Sequence, residues 1–253
     1  MDFNSFYEKT SKKLNRNMLI ILIILLSVAI IAVIGGYLKK SGVPGSPDAS
    51  SAAAETSETP PMVVIDAGHG GWEPGAGNGK LNEKDVVLDI SLEIEKLLAQ
   101  KNIEYLMIRT DDTYVSLEDR AKIANDKKGK LFISIHNNSF TDSAQSGILT
   151  AYNPNSPIGK DIAQVMQSKI SHMGMKNRDI MPRPNLYVLR HTEMPALLLE
   201  IGFISNKKDR KLLTDEEFQQ KCARQIVSGI EEILEDFILT PGSAAGEESF
   251  EGD

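Results

Sequence analysis

Residues 62–71 read MVVIDAGHGG, and they open the part of the chain that has a core. The first half, MVVID (62–66), is short, apolar and β-branched, the pattern of a buried strand; the second half is a glycine cluster around His69. From Asn82 the period changes. Val86, Val87, Ile90, Ile94, Leu97 and Leu98 recur on one face at helical spacing. The alternation continues downstream. YLMIR (105–109), LFISIH (131–136), ILTAYN (148–153), LYVLR (186–190) and ALLLE (196–200) read as strands. Between them, Ser116 with Asp119 signals the start of a helix running to about Asn125, and Pro157 suits the first turn of one ending near His172. Thr214 with Glu217 makes a capping box for a last helix that turns Phe218, Cys222, Ile226, Ile230, Leu234 and Phe237 inward. Strands alternating with helices predict an α/β domain over residues 61–240, with a single mixed or mostly parallel sheet flanked by helices.

Outside that domain the composition changes. Met18 to Leu38 is a run of 21 residues without a charge. About 20 apolar residues span a bilayer, whereas the core of a signal peptide has about 7–15. No Ala-x-Ala site follows closely, so an uncleaved transmembrane anchor is expected over 18–38. Lys9, Lys12, Lys13 and Arg16 precede the run and only Lys39 and Lys40 follow it. The positive-inside rule then keeps residues 1–17 in the cytoplasm and puts the rest outside the cell membrane. Residues 39–60 read as a flexible linker rich in Ser, Ala and Pro, and residues 241–253 as a disordered acidic tail.

Hydrophobic residues make up 41% and charged ones 25%, an ordinary globular balance. The net charge of −7, with no basic block in the body, excludes a nucleic-acid partner, because phosphate binding needs clustered Lys and Arg. Cys222 is the only cysteine, so an internal disulfide and a cysteine-based zinc cluster are both impossible. Any metal falls to carboxylates and to the four histidines, His69, His136, His172 and His191.

Sites in open α/β sheets form beyond the carboxyl ends of strands. Three strands here end on groups able to bind metal or move protons: His69, His136 and Glu200. Glu83 stands 14 residues after His69, at the start of the first helix. Two imidazoles and a carboxylate with an open fourth position form a catalytic zinc set, and a further carboxylate can serve as proton shuttle. Each group also has a plainer explanation. A strand-end histidine is often only hydrogen-bonded, Glu83 is a favourable charge in a helix's first turn, and Glu200 has Arg120 and Arg190 as candidate partners. The residues alone leave a metal hydrolase and a structural cluster both open.

VVIDAGHGG, Glu83-Lys84, MIRTDDTYVSLEDRAKIAN, FISIHNN, YVLR and PALLLEIGFISN occur in this order over about residues 62–238. Together they resemble the zinc-dependent N-acetylmuramoyl-L-alanine amidases of bacterial cell walls. The resemblance implies a zinc-hydrolase fold with Zn²⁺ held by His69, Glu83 and His136, and Glu200 as the catalytic residue. It implies cleavage between the lactyl group of N-acetylmuramic acid and L-alanine in peptidoglycan. Two alternatives remain: another zinc peptidase of peptidoglycan, and a silent wall-binding or regulatory module. Asn137 departs from the small or apolar residue frequent in that family after the second histidine, which points to an altered pocket wall. Arg109 and Arg120 lie in recurring motifs and are expected in structural ion pairs, and His191 is a candidate to support the site. The stretch from His136 to Pro195 is too short for the inserted helix that plugs the site in some members. The single anchor leans towards the sporulation type; an activator protein is left open.

Overall fold

A computed structural model describes residues 62–79 and 81–239. The expected anchor, linker and acidic tail lie outside these residues, and no described helix is long and apolar enough to cross a membrane. The strands are β1 (Val63–Ala67), β2 (Gly77–Asn78), β3 (Leu81–Asn82), β4 (Tyr105–Met107), β5 (Leu131–Asn138), β6 (Ile148–Tyr152), β7 (Asn177–Pro182) and β8 (Ala196–Phe203). The helices are α1 (Glu83–Gln100), α2 (Leu117–Asp126), α3 (Gly159–Ile170), α4 (Tyr187–His191), α5 (Lys207–Leu213) and α6 (Glu216–Ile233), the last continued by a π-helical stretch, Leu234–Leu239.

Six strands form one sheet in the order β4-β1-β5-β8-β6-β7, and β2 pairs with β3 separately. Strands β4, β1, β5 and β8 are parallel; β6 runs antiparallel to β8 and parallel to β7. The sheet is therefore mixed, with helices on both faces. Every residue of β1 is buried. Successive side chains of a strand point to opposite faces. Val63, Ile65, Ile133, Ile135, Leu197 and Leu199 face α1, α3 and α6. Val64, Phe132, Leu149, Ala151 and Leu198 face Ala124 of α2 and Val188 and Leu189 of α4. The same alternation brings Asp66, Ser134, His136 and Glu200 to the second face, near the carboxyl ends of β1, β5 and β8.

Ser116 caps α2 as its spacing predicts, accepting from Asp119 N at 3.1 Å. Three expectations are corrected. LYVLR is the helix α4, not a strand. Its neighbours Val188 and Leu189 both pack into the core on one face of the sheet, whereas successive side chains of a strand point to opposite faces, and an apolar run this short carries no decisive period. The last helix is capped by Asp215, which accepts from Phe218 N at 2.9 Å. Thr214 instead ends α5, its hydroxyl donating to the Arg210 carbonyl. The helix expected from Pro157 begins two residues later, at Gly159. Strand β7, reading NRDIMP, shows no alternation and was not anticipated. It is an edge strand, where pairing on one side suffices and Pro182 is tolerated.

Two bulges shape the sheet near its functional end. Between the pairs His136–Glu200 and Asn138–Phe203, both Ile201 and Gly202 oppose Asn137. Gly202 takes φ 74, and a Cβ there would sit 2.9 Å from Met175 Sδ, so this bulge needs glycine. Asn137 Nδ2 donates to the Ile201 carbonyl at 2.6 Å and clasps it. In β7, Arg178 and Asp179 together oppose Leu149.

The most consequential polar contact in the core joins β1 to α2. Arg120 Nη1 donates to Asp66 Oδ1 at 2.5 Å, and both residues are buried. Ser134 Oγ donates to the other carboxylate oxygen at 2.8 Å. Removing one member of a buried pair leaves an uncompensated charge. Arg120→Ala should therefore lose about 3–5 kcal/mol of stability, read as a lower urea midpoint at unchanged slope. Lys122→Ala, which removes an exposed partner of Asp126 one turn along the same helix, should leave the midpoint where it is.

Candidate active site

The backbone around His69 is held from three directions. His69 has φ 58, a left-handed conformation that costs energy for a residue with a Cβ. Arg120 Nη2 donates to the His69 carbonyl at 2.5 Å and Nη1 to the Ala67 carbonyl at 2.8 Å. Arg109, also buried, donates to the carbonyls of Ala67, Gly68, Lys84 and Asp111 at 2.7–2.9 Å. The expected ion pair is thus real for Arg120, whereas Arg109 binds carbonyls instead. Lys84 closes the third side, with Nζ donating to the Gly71 carbonyl at 2.8 Å and to Asp112 Oδ2 at 2.6 Å. Lys84 and the Gly71 amide hold the Asp112 carboxyl below its usual range.

The loop so fixed delivers His69 to Glu83, the first residue of α1. His69 Nε2 lies 3.1 Å and His136 Nδ1 2.9 Å from the same oxygen, Glu83 Oε1. The two rings meet edge to face with centroids 4.8 Å apart. Gly68 is required here, because a Cβ on it would lie 2.4 Å from His136 Cε1. Glu83 is buried and oriented by two backbone amides: Asn137 N donates to Oε1 at 2.9 Å and Ala76 N to Oε2 at 2.8 Å. Burial opposes ionisation of Glu83, but the two imidazoles outweigh it and hold its carboxyl far below the usual carboxylate range. Burial likewise works against a charge on His136, and the Glu83 carboxylate overrides it, raising the imidazole.

The donor set suits a metal ion. One atom each from His69, Glu83 and His136 lies within 4.8 Å of the others. Zinc binds nitrogen and oxygen at about 2.0–2.1 Å in a tetrahedron, so neighbouring ligand atoms stand about 3.3 Å apart. The observed contacts of 3.1 Å and 2.9 Å are close to that spacing. On its other side, His69 Nδ1 has Glu73 Oε1 at 3.3 Å, near enough for attraction but without hydrogen-bond alignment.

Glu200 neighbours this cluster without joining it. It pairs in register with His136 on one side and with Leu149 on the other. Its Oε2 is buried and has no hydrogen-bond partner among the described residues. Burial raises its carboxyl, opposed by the charges of His136 and Arg183. Neither Arg120 nor Arg190 pairs with it.

The remaining candidates lie elsewhere. His172 is exposed and its Nδ1 sits 2.9 Å from the Ser168 carbonyl. His191 stacks on Tyr187 at 3.9 Å and its Nδ1 contacts the Tyr187 carbonyl, so it serves α4 rather than the cluster. Asn137 is buried on the far side of β5 and clasps the bulge instead of lining a pocket; its amide, unforeseen, is what orients Glu83. Cys222 is buried in α6 with its thiol pushed up to about 12, which leaves it chemically inert.

Residues 63–232 match the family described as N-acetylmuramoyl-L-alanine amidase. The chain is 35% identical over 186 residues to the probable cell wall amidase LytH of Staphylococcus aureus, which covers 70% of this chain but 61% of that protein's length. Among solved structures it is similar to the catalytic domain of CwlV, an N-acetylmuramoyl-L-alanine amidase from Bacillus (Paenibacillus) polymyxa var. colistinus. There the identity is 40%, the coverage 69% of this chain and 98% of that one, and the TM-score 0.66. It is also similar to the CwlD amidase from Clostridioides difficile, solved in complex with the GerS lipoprotein, at 32% identity, 69% and 98% coverage and TM-score 0.66. The chain belongs to the N-acetylmuramoyl-L-alanine amidase family.

Proposed function

We propose that this chain is a zinc-dependent N-acetylmuramoyl-L-alanine amidase, cleaving the amide between the lactyl group of N-acetylmuramic acid and L-alanine in peptidoglycan. The observation that carries the reading is a buried carboxylate shared by two imidazoles, with a second, unpartnered carboxylate beside it, in a member of this family. His69, Glu83 and His136 would hold the ion. Zinc at such a site supplies Lewis-acid polarisation of a carbonyl and acidifies water. Glu200, in its ionised form, takes a proton from water and returns it to the leaving nitrogen, as general base and then acid. The amides of Asn137 and Ala76 keep Glu83 from rotating, and Arg120 and Arg109 keep the His69 loop from relaxing.

The reaction is tested by product analysis. Purified peptidoglycan should gain free L-alanine amino termini while muramic acid stays intact on the glycan, as read by mass spectrometry. Cleavage inside the peptide would instead indicate a different zinc peptidase, and no cleavage with retained binding a silent module.

The roles of the two carboxylates separate in a second experiment. A glutamate kept only for its charge in a helix's first turn contributes about 0.3–1 kcal/mol, and its loss would spare a metal bound elsewhere. Glu83→Ala should instead lose both bound zinc and activity. Glu200→Ala should keep about one zinc per chain yet turn over about 10²–10⁴-fold more slowly. Full zinc in Glu83→Ala, or none in Glu200→Ala, would overturn this assignment.

We further propose a single-pass anchor at 18–38 with the enzyme on the cell-wall side. The 20 residues 41–60, as a flexible coil, reach roughly 25 Å and favour peptidoglycan close to the membrane. The solved CwlD–GerS complex supports a search for a protein partner there, and the single anchor is what leans towards a sporulation role. Protease added to intact protoplasts should degrade the domain and spare the N-terminal segment. A soluble mature protein starting beyond residue 38 would sink the anchor and leave the reaction untouched.

A further inference from the structure

Next to Glu200 lies a cavity that the hydrolysis as described does not use. Its volume is about 300 Å³, and Arg178, Arg183, Gln145, Leu149, Met181 and Phe203 are among the residues that border it. Leu149 is the register partner of Glu200, so the cavity adjoins the carboxylate assigned to proton transfer. Two of its bordering residues are arginines and none is acidic. Arg178 is posed rather than loose. Its guanidinium carbon lies 5.1 Å from the Phe203 ring centroid, and Nη1 donates to Gln145 Oε1 at 3.1 Å and to the Ser146 carbonyl at 3.3 Å. Its Nε is nevertheless buried with no acceptor among the described residues.

The backbone has been bent to achieve this pose. Arg178 is the first residue of the β7 bulge, and the second, Asp179, takes φ 65 with its amide donating to Asn177 Oδ1 at 2.8 Å. Bulges re-aim side chains, and non-glycine residues hold a left-handed backbone only where the surroundings demand it. A positive cavity with an unmet buried donor and no acid of its own calls for an anion, and arginine's planar fork fits a carboxylate in particular.

We infer that Arg178 and Arg183 bind the free carboxylate of the stem-peptide residue that follows L-alanine. This inference rests on the amidase reading above. Phe203, against which the Arg178 guanidinium packs, lies three residues past Glu200 on β8, at most about 10 Å along the strand, the span of about three extended residues. The guanidinium would thus come within reach of the second residue of a peptide whose leaving nitrogen stands at Glu200. That residue is a glutamyl unit joined onward through its side chain. Its own α-carboxyl therefore stands off the chain, either as a carboxylate or, in amidated walls, as a carboxamide. The subsite distinguishes the two forms.

The test uses the zinc-loaded full chain in detergent with two substrates, N-acetylmuramoyl-L-alanyl-D-glutamate and its D-isoglutamine counterpart. The carboxylate substrate should show a KM at least about tenfold lower at similar kcat, the scale of a charge-assisted hydrogen bond. Arg178→Gln should erase that preference by raising KM for the carboxylate substrate alone, with the isoglutamine substrate as internal control for folding and metal. Arg183→Gln, on an exposed side chain, should shift KM the same way and carries the test if Arg178→Gln does not fold. Equal KM values in the wild type, or variants that keep the wild-type ratio of the two KM values, would overturn the subsite. If the wild type cleaves neither substrate, the amidase reading stands or falls on the peptidoglycan digest alone. The subsite is then decided by titrating L-alanyl-D-glutamate directly: binding to wild type that is lost in the arginine variants upholds it, and no binding to wild type overturns it.

Discussion

The buried contact between Asp66 and Arg120 is the constraint from which the site follows. Asp66 is the last residue of β1 before Ala67 and the glycine cluster, and it is almost wholly inaccessible. A carboxylate placed there demands a cation, and α2 supplies one whose remaining donors turn to the carbonyls of Ala67 and His69. The pair therefore transmits the position of a core strand to a residue whose own backbone, at φ 58, would otherwise relax. Replacing such a pair with apolar side chains is often neutral for stability. Its value here is geometric. An apolar pair would leave the loop carbonyls unmet and His69 without a reason to stay where it is.

The topology explains why the remaining groups arrive at the same place. Parallel strands end together, so β1, β5 and β8 bring His69, His136 and Glu200 to one end of the sheet. Antiparallel β6 then starts at that same end, with Leu149 against Glu200, and β7 follows it in parallel. Both bulges occur at this level of the sheet. One, at Gly202, ends the regular pairing just past Glu200; the other, at Asp179, turns Arg178 towards the cavity. Interrupting the ladder sacrifices pairing at the functional end and leaves the buried middle of the sheet regular.

Much of this was legible in the residues. Continuous apolar runs such as LFISIH and ALLLE announced buried strands, and the period of α1 and α6 announced their inward faces. The metal-ligand candidates stood out because histidine is scarce here and glycine surrounds one of them. What stayed hidden depended on contacts distant in sequence. Arg178 sits in NRDIMP, a polar stretch without period, and acquires meaning only when the edge of the sheet places it beside Phe203. The helix α4 was misread because two adjacent buried residues, Val188 and Leu189, look like part of a strand until their partners on α2 are known. Asn137 looked like a pocket residue because it follows His136, yet alternation sends its side chain to the opposite face and leaves only its amide near the cluster.

The two carboxylates differ in a way that distance alone does not capture. Both are withdrawn from solvent at the same end of the sheet, and both feel the charge of His136. Glu83 has each oxygen engaged by a backbone amide, which fixes the direction of its remaining lone pairs towards the two imidazoles. A ligand needs that rigidity, because an ion is held tightly only by donors already aimed at it. Glu200 Oε2 has no such engagement, and burial makes its proton easier to keep. A proton shuttle needs those properties, since it must hold a proton for part of the cycle and release it afterwards. Aimed amides make one glutamate a ligand, and their absence leaves the other available to carry protons.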